Sequence, residues 1–428
     1  MKYGLLNLAK IPLLYISDID RLFENEEKIE KYRQRCFKRI LKYAIKVPLY
    51  REKYKGIDIN SINLENISSL PILKKDDIRK NFDKIIPYKS KKYSIVSTSG
   101  STGKPVSIYV DFYTIIKALI ALLRELKEYD IKWMKDRMSI IADLSPDAIE
   151  EFYLRRCLPI KLKNLQILHV GEDVEKMAEK IEKFNPKFIG GYPGNLRALA
   201  IIKRKKGLKI EPEVMASSGA VLDEYTKKYI EETFNARVYD VYGSTEAGPV
   251  AYECKRGNYH LHYDMVHVEI VDENDNPTDK TGRIVVTKLY GNATPIIRYD
   301  GLNDFITPIK NKCGCGINSP IIKRIEGRKA DSIILPSGKI IPPFTITGIP
   351  AKVMYSLHRF SIDQFQIIQN NEYEIIVNLV IDKNENMKEI LKKKIKEEFE
   401  KKLKEVKVVV REVNEIEKNK PVVISNLA

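Results

Sequence analysis

The chain has 428 residues, with 74 Lys and Arg against 58 Asp and Glu, a formal net charge of +16, and 43% hydrophobic residues. That length allows two or three domains with a sizeable core, and the apolar share excludes an intrinsically disordered chain. With 21 Gly and 20 Pro it is not of low complexity, and five cysteines, an odd number, argue against a disulfide framework.

No apolar run reaches the roughly 18–20 residues of a membrane span. The start, MKYGLLNLAKIPLLYISDID, is broken by Lys10 and Pro12 and reads as a packed segment rather than a signal peptide, so a cytoplasmic protein without a membrane partner is expected. Residues 26–54 carry apolar positions three and four apart until Pro48, an amphipathic helix with a stop. SLPILKKDDIRKNF (69–82) reads as a loop and then a helix capped near Lys75–Asp76. Between about 95 and 250, short apolar runs (SIVSTS, MSIIADL, LQILHV, FIGGYP, VMASSGA, ARVYDVYG) alternate with helical stretches, which predicts an α/β sheet covered by helices.

From about 259 to 325 the helices vanish, and period-two alternation with Asn/Asp/Gly/Pro turns predicts a β-rich subdomain. After RIEGRKADS the pattern restarts. A tight hairpin (SIILPSGKIIPP), a strand pair across Asn370–Asn371, a Lys/Glu helix at 387–404 and the strand VKVVVREV predict a small α+β domain. The expected division is 1–328 (a helical lead-in to 90, an α/β core over 91–255, a β-rich part over 256–328) and 329–428.

The charge permits nucleic acid, an anionic membrane or an anionic small substrate as partner. But Lys is spread along the chain and mixed with Glu, as in KKKIKEEFEKKLKEVK (392–407). That is the habit of solvated helix faces and, with much Ile, of heat-adapted proteins, which argues against nucleic acid.

Four segments carry chemistry. In Ser97-Thr98-Ser99-Gly100-Ser101-Thr102-Gly103-Lys104-Pro105 a strand runs into a Ser/Thr/Gly loop whose backbone N–H groups, hydroxyls and lysine suit a polyphosphate; a plain surface turn is the alternative. It is not a GxxxxGK[ST] loop, because Gly100 and Gly103 are too close and Pro105 replaces the hydroxyl residue. Val241-Tyr242-Gly243-Ser244-Thr245-Glu246-Ala247-Gly248 ends a strand with an aromatic, hydroxyls and a carboxylate, suited to an adenine stack and a Mg²⁺ ligand, or simply to a tight turn. The third segment is IRYDGLND (297–304), followed by RIEGRKAD (324–331); the fourth is EKNKP (417–421).

In this order the segments resemble the adenylate-forming superfamily of acyl- and aryl-CoA ligases. More narrowly they are similar to its phenylacetate–CoA ligase branch, which includes capsule-associated and methanogen deazaflavin-adenylating relatives. AIKVPLYREKY (44–54) and LPILKKDDIRK (70–80) are typical of that branch's helical N-terminus. The resemblance implies an α/β fold, a large AMP-binding domain followed by a small mobile α+β lid, that activates an acid with ATP and passes it to CoA.

It implies roles residue by residue. Ser97 to Lys104 would wrap the β- and γ-phosphates of ATP. Ser218, Gly219 and Ala220 would form the wall between adenine and an acid pocket lined by Tyr192, Pro193 and Gly219. Tyr242, with Gly243 and Ser244 behind it, would lie against adenine, Thr245 near the α-phosphate and Glu246 on Mg²⁺. Asp304 would hold the ribose hydroxyls with Arg328 beside it, Ala330–Asp331 would be the hinge, and Lys420 the lid lysine on the α-phosphate. Departures from the branch pattern are Val221 for Glu, Ala330 for Asp, Asn419 for Gly, and one extra residue before Asp304.

Cys254 and His260, with Cys313 and Cys315 in a Gly-rich knuckle, would make a tetrahedral structural Zn²⁺ site, and some members of the branch carry zinc at matching positions. Free thiols beside a surface turn are the alternative, and His262 rivals His260 as the histidine ligand. Cys36 and Cys157 read as core residues, and His169, His267 and His358 as structural. The partners expected are a small acid, ATP and CoA, the assembly a homodimer, and the enzyme an AMP-forming acid–thiol ligase. An adenylyltransferase acting on a phenolic deazaflavin without CoA, and a basic nucleic-acid-binding protein, are the alternatives.

Overall fold

The computed structural model describes residues 10–87, 93–97, 106–142, 163–302, 304–328, 333–338, 340–341, 344–357, 359, 361–416 and 422–427. Helix α1 (Lys10–Asp18) leads to α2 (Glu26–Ala44), whose Asn25 cap accepts from the Lys28 N–H and whose first turn carries Glu26 and Glu27. Ile29, Arg33, Cys36, Phe37, Ile40, Leu41 and Ala44 form its buried stripe. Pro48 does more than stop this helix. It forces Val47 into extended backbone and itself opens the next helix, α3 (Pro48–Lys53), where a missing N–H costs nothing. Helix α4 (Lys75–Lys80) follows as the sequence predicts.

Among the described residues, strands β1 (Ser94–Ser97) and β2 (Ser107–Val110) pair only with each other, antiparallel. Ser94–Ser97 of the SIVSTS run therefore belongs to a local hairpin and not to the main sheet, its partner strand beginning only ten residues on. Helix α5 (Phe112–Glu128) then leads into the α/β alternation: β3 (Met138–Ala142), β4 (Leu165–His169), α6 (Val174–Phe184), β5 (Phe188–Gly191), α7 (Pro193–Lys206), β6 (Val214–Ser218), α8 (Glu224–Phe234) and β7 (Arg237–Ser244). β7, β6, β5, β3 and β4 lie side by side in that order, all parallel. Both faces are covered. Met138, Phe188, Ala216 and Tyr239 pack toward Leu123, Leu126 and Tyr129, and on the other side Ile189, Met215 and Val238 meet Met177, Ile181, Leu199 and Ile230.

The helix-free region follows as β8 (Gly248–Glu253), β9 (Tyr259–Leu261), β10 (Val266–Val271), β11 (Gly282–Lys288), β12 (Asp304–Ile309) and β13 (Ile321–Arg328). These strands continue the same sheet without a break, antiparallel, to give eleven strands ordered β10-β11-β12-β13-β9-β8-β7-β6-β5-β3-β4. The N-terminal helices cover this half: Phe37, Ile40, Leu41, Tyr50 and Leu70 pack with Val266, Ile284, Val286, Ile306 and Ile322.

The last part has its own core. After the β14 (Ile333–Ile334) and β15 (Ile340–Ile341) hairpin come α9 (Phe344–Thr347) and α10 (Ile349–Leu357). A four-stranded sheet follows, ordered β18-β17-β16-β19, from β16 (Ile362–Asn371), β17 (Glu374–Ile381), β18 (Lys407–Glu412) and β19 (Val423–Ser425), with α11 (Lys388–Leu403) between β17 and β18. Asn370 and Asn371 close β16, and the turn itself is Glu372–Tyr373, two residues beyond the predicted place. The Asn371 side chain accepts from the Tyr373 N–H, which makes the asparagine the turn's first residue rather than its centre.

Candidate functional site

The carboxyl ends of β5, β6 and β7 lie side by side along one edge of the parallel sheet, the usual location for a ligand in such a sheet. Ser218 ends β6 opposite Val241 in β7, which places Ser218-Gly219-Ala220 beside Tyr242. Tyr192 stands at the top of β5 as the N-cap of α7, with Pro193 opening that helix. Gly219 holds φ +82°, and a Cβ there would lie 2.5 Å from Cε1 of Tyr192, so the glycine lets the ring lie flat against the backbone. Tyr192 and Pro193 thus lie together with Ser218, Gly219 and Ala220.

The Tyr242 hydroxyl donates to Oδ2 of Asp304 at 2.6 Å, which fixes the ring against the first residue of β12. Asp304 is buried, and its backbone pairs with that of Arg328 in the β12–β13 register. The turn Thr245–Ala247 is held by the Ala247 N–H on Ser244 Oγ. Glu246, only 3% exposed, accepts from the Tyr299 hydroxyl at 2.9 Å through Oε1, and its carbonyl accepts from Lys288 Nζ at 3.3 Å. Burial pushes the Tyr299 phenol well above its ordinary range and the Lys288 ammonium down to about 8.

Lys288 and Tyr299 escaped the sequence reading. A Lys ending the apolar strand GRIVVTK, and a Tyr inside the RYD segment, were the available signals. Ser97 Oγ lies 2.7 Å from Ser107 Oγ, so the hairpin closes the base of the Ser/Thr/Gly loop. Thr98 to Lys104, Ala330, Asp331 and Lys420, along with Cys157 and His358, lie outside the described residues.

A second cluster sits where the parallel and antiparallel halves meet. Cys254 Sγ is 3.6 Å from Cys313 Sγ, Cys315 Sγ is 3.3 Å from His260 Nε2, and all four ligand atoms lie within 4.8 Å of one another. Sulfurs about 3.7 Å apart are what a tetrahedral zinc with bonds near 2.3 Å requires. His260 Nδ1 sits 3.1 Å from Ser319 Oγ, which orients the ring, and burial lowers its pKa to about 4, leaving the imidazole neutral. Burial also pushes the Cys254 and Cys315 thiols up, a cost that a bound cation offsets. The donor set fits the metal. His262 turns away: its ring nitrogens meet Arg124 and Glu125.

Of the remaining predicted core and structural residues, Cys36 is in the core, His169 Nδ1 accepts from the Gly171 N–H, and His267 Nδ1 meets Arg33. Among the described residues, no helix is long and apolar enough to cross a membrane.

A family model described as AMP-binding enzyme matches residues 57–290, and one described as CapK C-terminal domain matches residues 339–421. Protein CapK of Staphylococcus aureus is 28% identical over 393 residues, which cover 89% of this chain and 84% of that protein. The solved structure of 2-hydroxyisobutyryl-CoA ligase in the postadenylation state, with R3-HIB-AMP, is similar over 95% of this chain and 91% of its own, at 18% identity and a TM-score of 0.79. The same ligase in the thioesterification state, with 2-HIB-AMP and CoA, covers the same shares at 18% identity with a TM-score of 0.63.

Proposed function

The chain belongs to the AMP-binding enzyme family, and from that premise we propose that it joins an organic acid, aryl in class, first to AMP and then to the thiol of CoA. The observation that carries this reading is the grouping at the ends of β5, β6 and β7: Tyr242 bonded to Asp304, Glu246 in the turn that follows it, and Tyr192 against Gly219. A nucleoside would stack on Tyr242 with its ribose at Asp304 and Arg328, and the acid would lie against Tyr192 and Pro193. Thr98 to Lys104 would receive the β- and γ-phosphates, Thr245 the α-phosphate.

A carboxylate oxygen of the acid attacks the α-phosphorus, the bond to pyrophosphate breaks, and pyrophosphate leaves with the electron pair. Negative charge builds on the α-phosphate oxygens, where Lys420 would neutralise it in a site that excludes water. Glu246 would hold Mg²⁺, whose charge offsets that of the phosphates. The thiolate of CoA then attacks the acyl carbon and AMP departs. For this second step the part after the Ala330–Asp331 hinge would turn and withdraw Lys420. The arrangement described here is, in this reading, that of the first step; the higher likeness to the postadenylation form of a CoA ligase supports it. Cys254, His260, Cys313 and Cys315 would hold a structural zinc.

The test is a screen of aryl and aliphatic acids for conversion of ATP to AMP and pyrophosphate, with and without CoA. Thioester plus free AMP is the expected result. A stable AMP adduct formed without CoA would convert the reading to an adenylyltransferase. No turnover, with salt-sensitive nucleic-acid binding that ignores ATP, would overturn it.

A further inference from the structure

Among the described residues, the C-terminal part meets α7, which is capped by Tyr192, and α8, which follows β6 and the Ser218-Gly219-Ala220 segment. Arg197, one turn into α7 from Tyr192, donates from Nη1 to the Asp363 carbonyl and from Nη2 to the Ile362 carbonyl, both at 2.7 Å. Tyr225, in the first turn of α8, packs against the C-terminal core. Gly348, between α9 and α10, lies flat on that ring: a Cβ on Gly348 would come within 2.9 Å of Tyr225 Cδ2. Lys205, further along α7, stands 3.7 Å from Asp363 and 3.8 Å from Asp382.

Two features set the guanidinium apart from an ordinary surface contact. It grips two successive main-chain carbonyls at the start of β16, so it reads the position of a strand and not a side chain that can swing after it. And the helix that carries it begins at the residue lying on Gly219. Over identical shares of the chain, the likeness to the related ligase is lower for its thioesterification form than for its postadenylation form.

We infer that Arg197 is a positioning residue, a clasp that holds the C-terminal part against the wall of the acid pocket during adenylation and must let go before thioester transfer. This rests on the two-step reading given above. Because the clasp acts from the pocket helix, it would couple a filled pocket to a docked lid without touching substrate. Its two donors face carbonyls, so salt would weaken it less than it weakens the flanking Lys205 pairs.

The experiment separates the half-reactions and adds a readout independent of both. In Arg197→Ala the kcat of acid-dependent pyrophosphate exchange should fall roughly 10–100-fold, the loss of about 1.4–2.7 kcal/mol of positioning. The rate of thioester formation from supplied acyl-adenylate and CoA should stay level or rise. Arg197→Lys, which keeps the charge and can still reach one carbonyl, should fall between. Gly348→Ala approaches the same interface from the other side without altering Arg197 and should show the same split. Amide hydrogen exchange of the full-length protein should show faster exchange over the start of β16 and over α10 in both variants, with the sheet core unchanged. Equal losses in both half-reactions, or unaltered exchange protection in both variants, would overturn the clasp. If the unsubstituted protein adenylates no acid, the function reading fails on its own, while the amide-exchange result still decides whether Arg197 holds the two parts together.

Discussion

Asp240 stands on β7 beside Ser217 of β6, and both side chains are buried. Its Oδ2 accepts from the Tyr259 hydroxyl, Oδ1 has no partner, and burial raises its pKa to about 7. A carboxyl that holds its proton more tightly when folded favours the native state at low pH and costs stability as pH rises from about 4 through about 7. The full cost at higher pH is on the order of 4 kcal/mol. Asp240→Asn is therefore expected to raise the melting temperature at pH 8, to change it little near pH 4, and to flatten the slope between; an unaltered slope would remove Asp240 from the account. At Gly219 the expectation is catalytic. A methyl there is strained at φ +82° by about 1–2 kcal/mol and pushes Tyr192 off the wall, so Gly219→Ala should raise the KM for the acid at least tenfold while leaving that for ATP within about twofold.

Elements explain which of these residues a sequence can disclose. Tyr242 and Glu246 lie in one short segment and were legible because a turn after a strand keeps its order. The Tyr242–Asp304 bond crosses 62 residues and depends on where β12 lands in the sheet, which no local pattern encodes. Period-two alternation found β9 to β13 but not their continuity with the parallel strands, since alternation reports which face is buried and not which edge is paired. Residues two apart share a face of a strand, so alternation cannot separate His260 from His262; β9 ends at Leu261, and the contacts set His260 against Cys315 and His262, beyond the strand, between Arg124 and Glu125. The cysteine cluster ties the β8–β9 hairpin to the segment joining β12 and β13. Purified protein is expected to contain about one zinc per chain. Chelation, or Cys313→Ser, should lower the melting temperature by roughly 5 °C or more. A metal-free preparation whose thiols all titrate would exclude the site.

At the scale of the molecule, the part after residue 332 has a complete hydrophobic core of its own, with Ile367, Val377, Leu379, Ile395 and Phe399 fully buried among strands and helices that need no other segment to pair. A fragment of residues 333–428 should fold alone and lose its circular dichroism in one cooperative transition; a fragment that stays unfolded would show that the large sheet supports it. This division was legible because the helix-free stretch and the restart after Arg328 are changes of period. The covering of the antiparallel half by the N-terminal helices was not, since it pairs segments at opposite ends of the large domain.

That covering sets a timetable for synthesis. Buried Arg33 of α2 is bonded to the carbonyls of Tyr263 and Val266, 230 and 233 residues further along the chain. At about 5–20 residues per second, the partners of α2 leave the ribosome roughly 10–50 s after the helix itself. For that interval the stripe of Phe37, Ile40 and Leu41 has only its N-terminal neighbours, Tyr50 and Leu70 among them, and lacks the sheet face of Val266, Ile284 and Val286 that completes its cover. The nascent chain must then either keep the stripe shielded by a chaperone or let it wait against non-native surfaces, so yield at high expression rates should depend on how well that wait is managed.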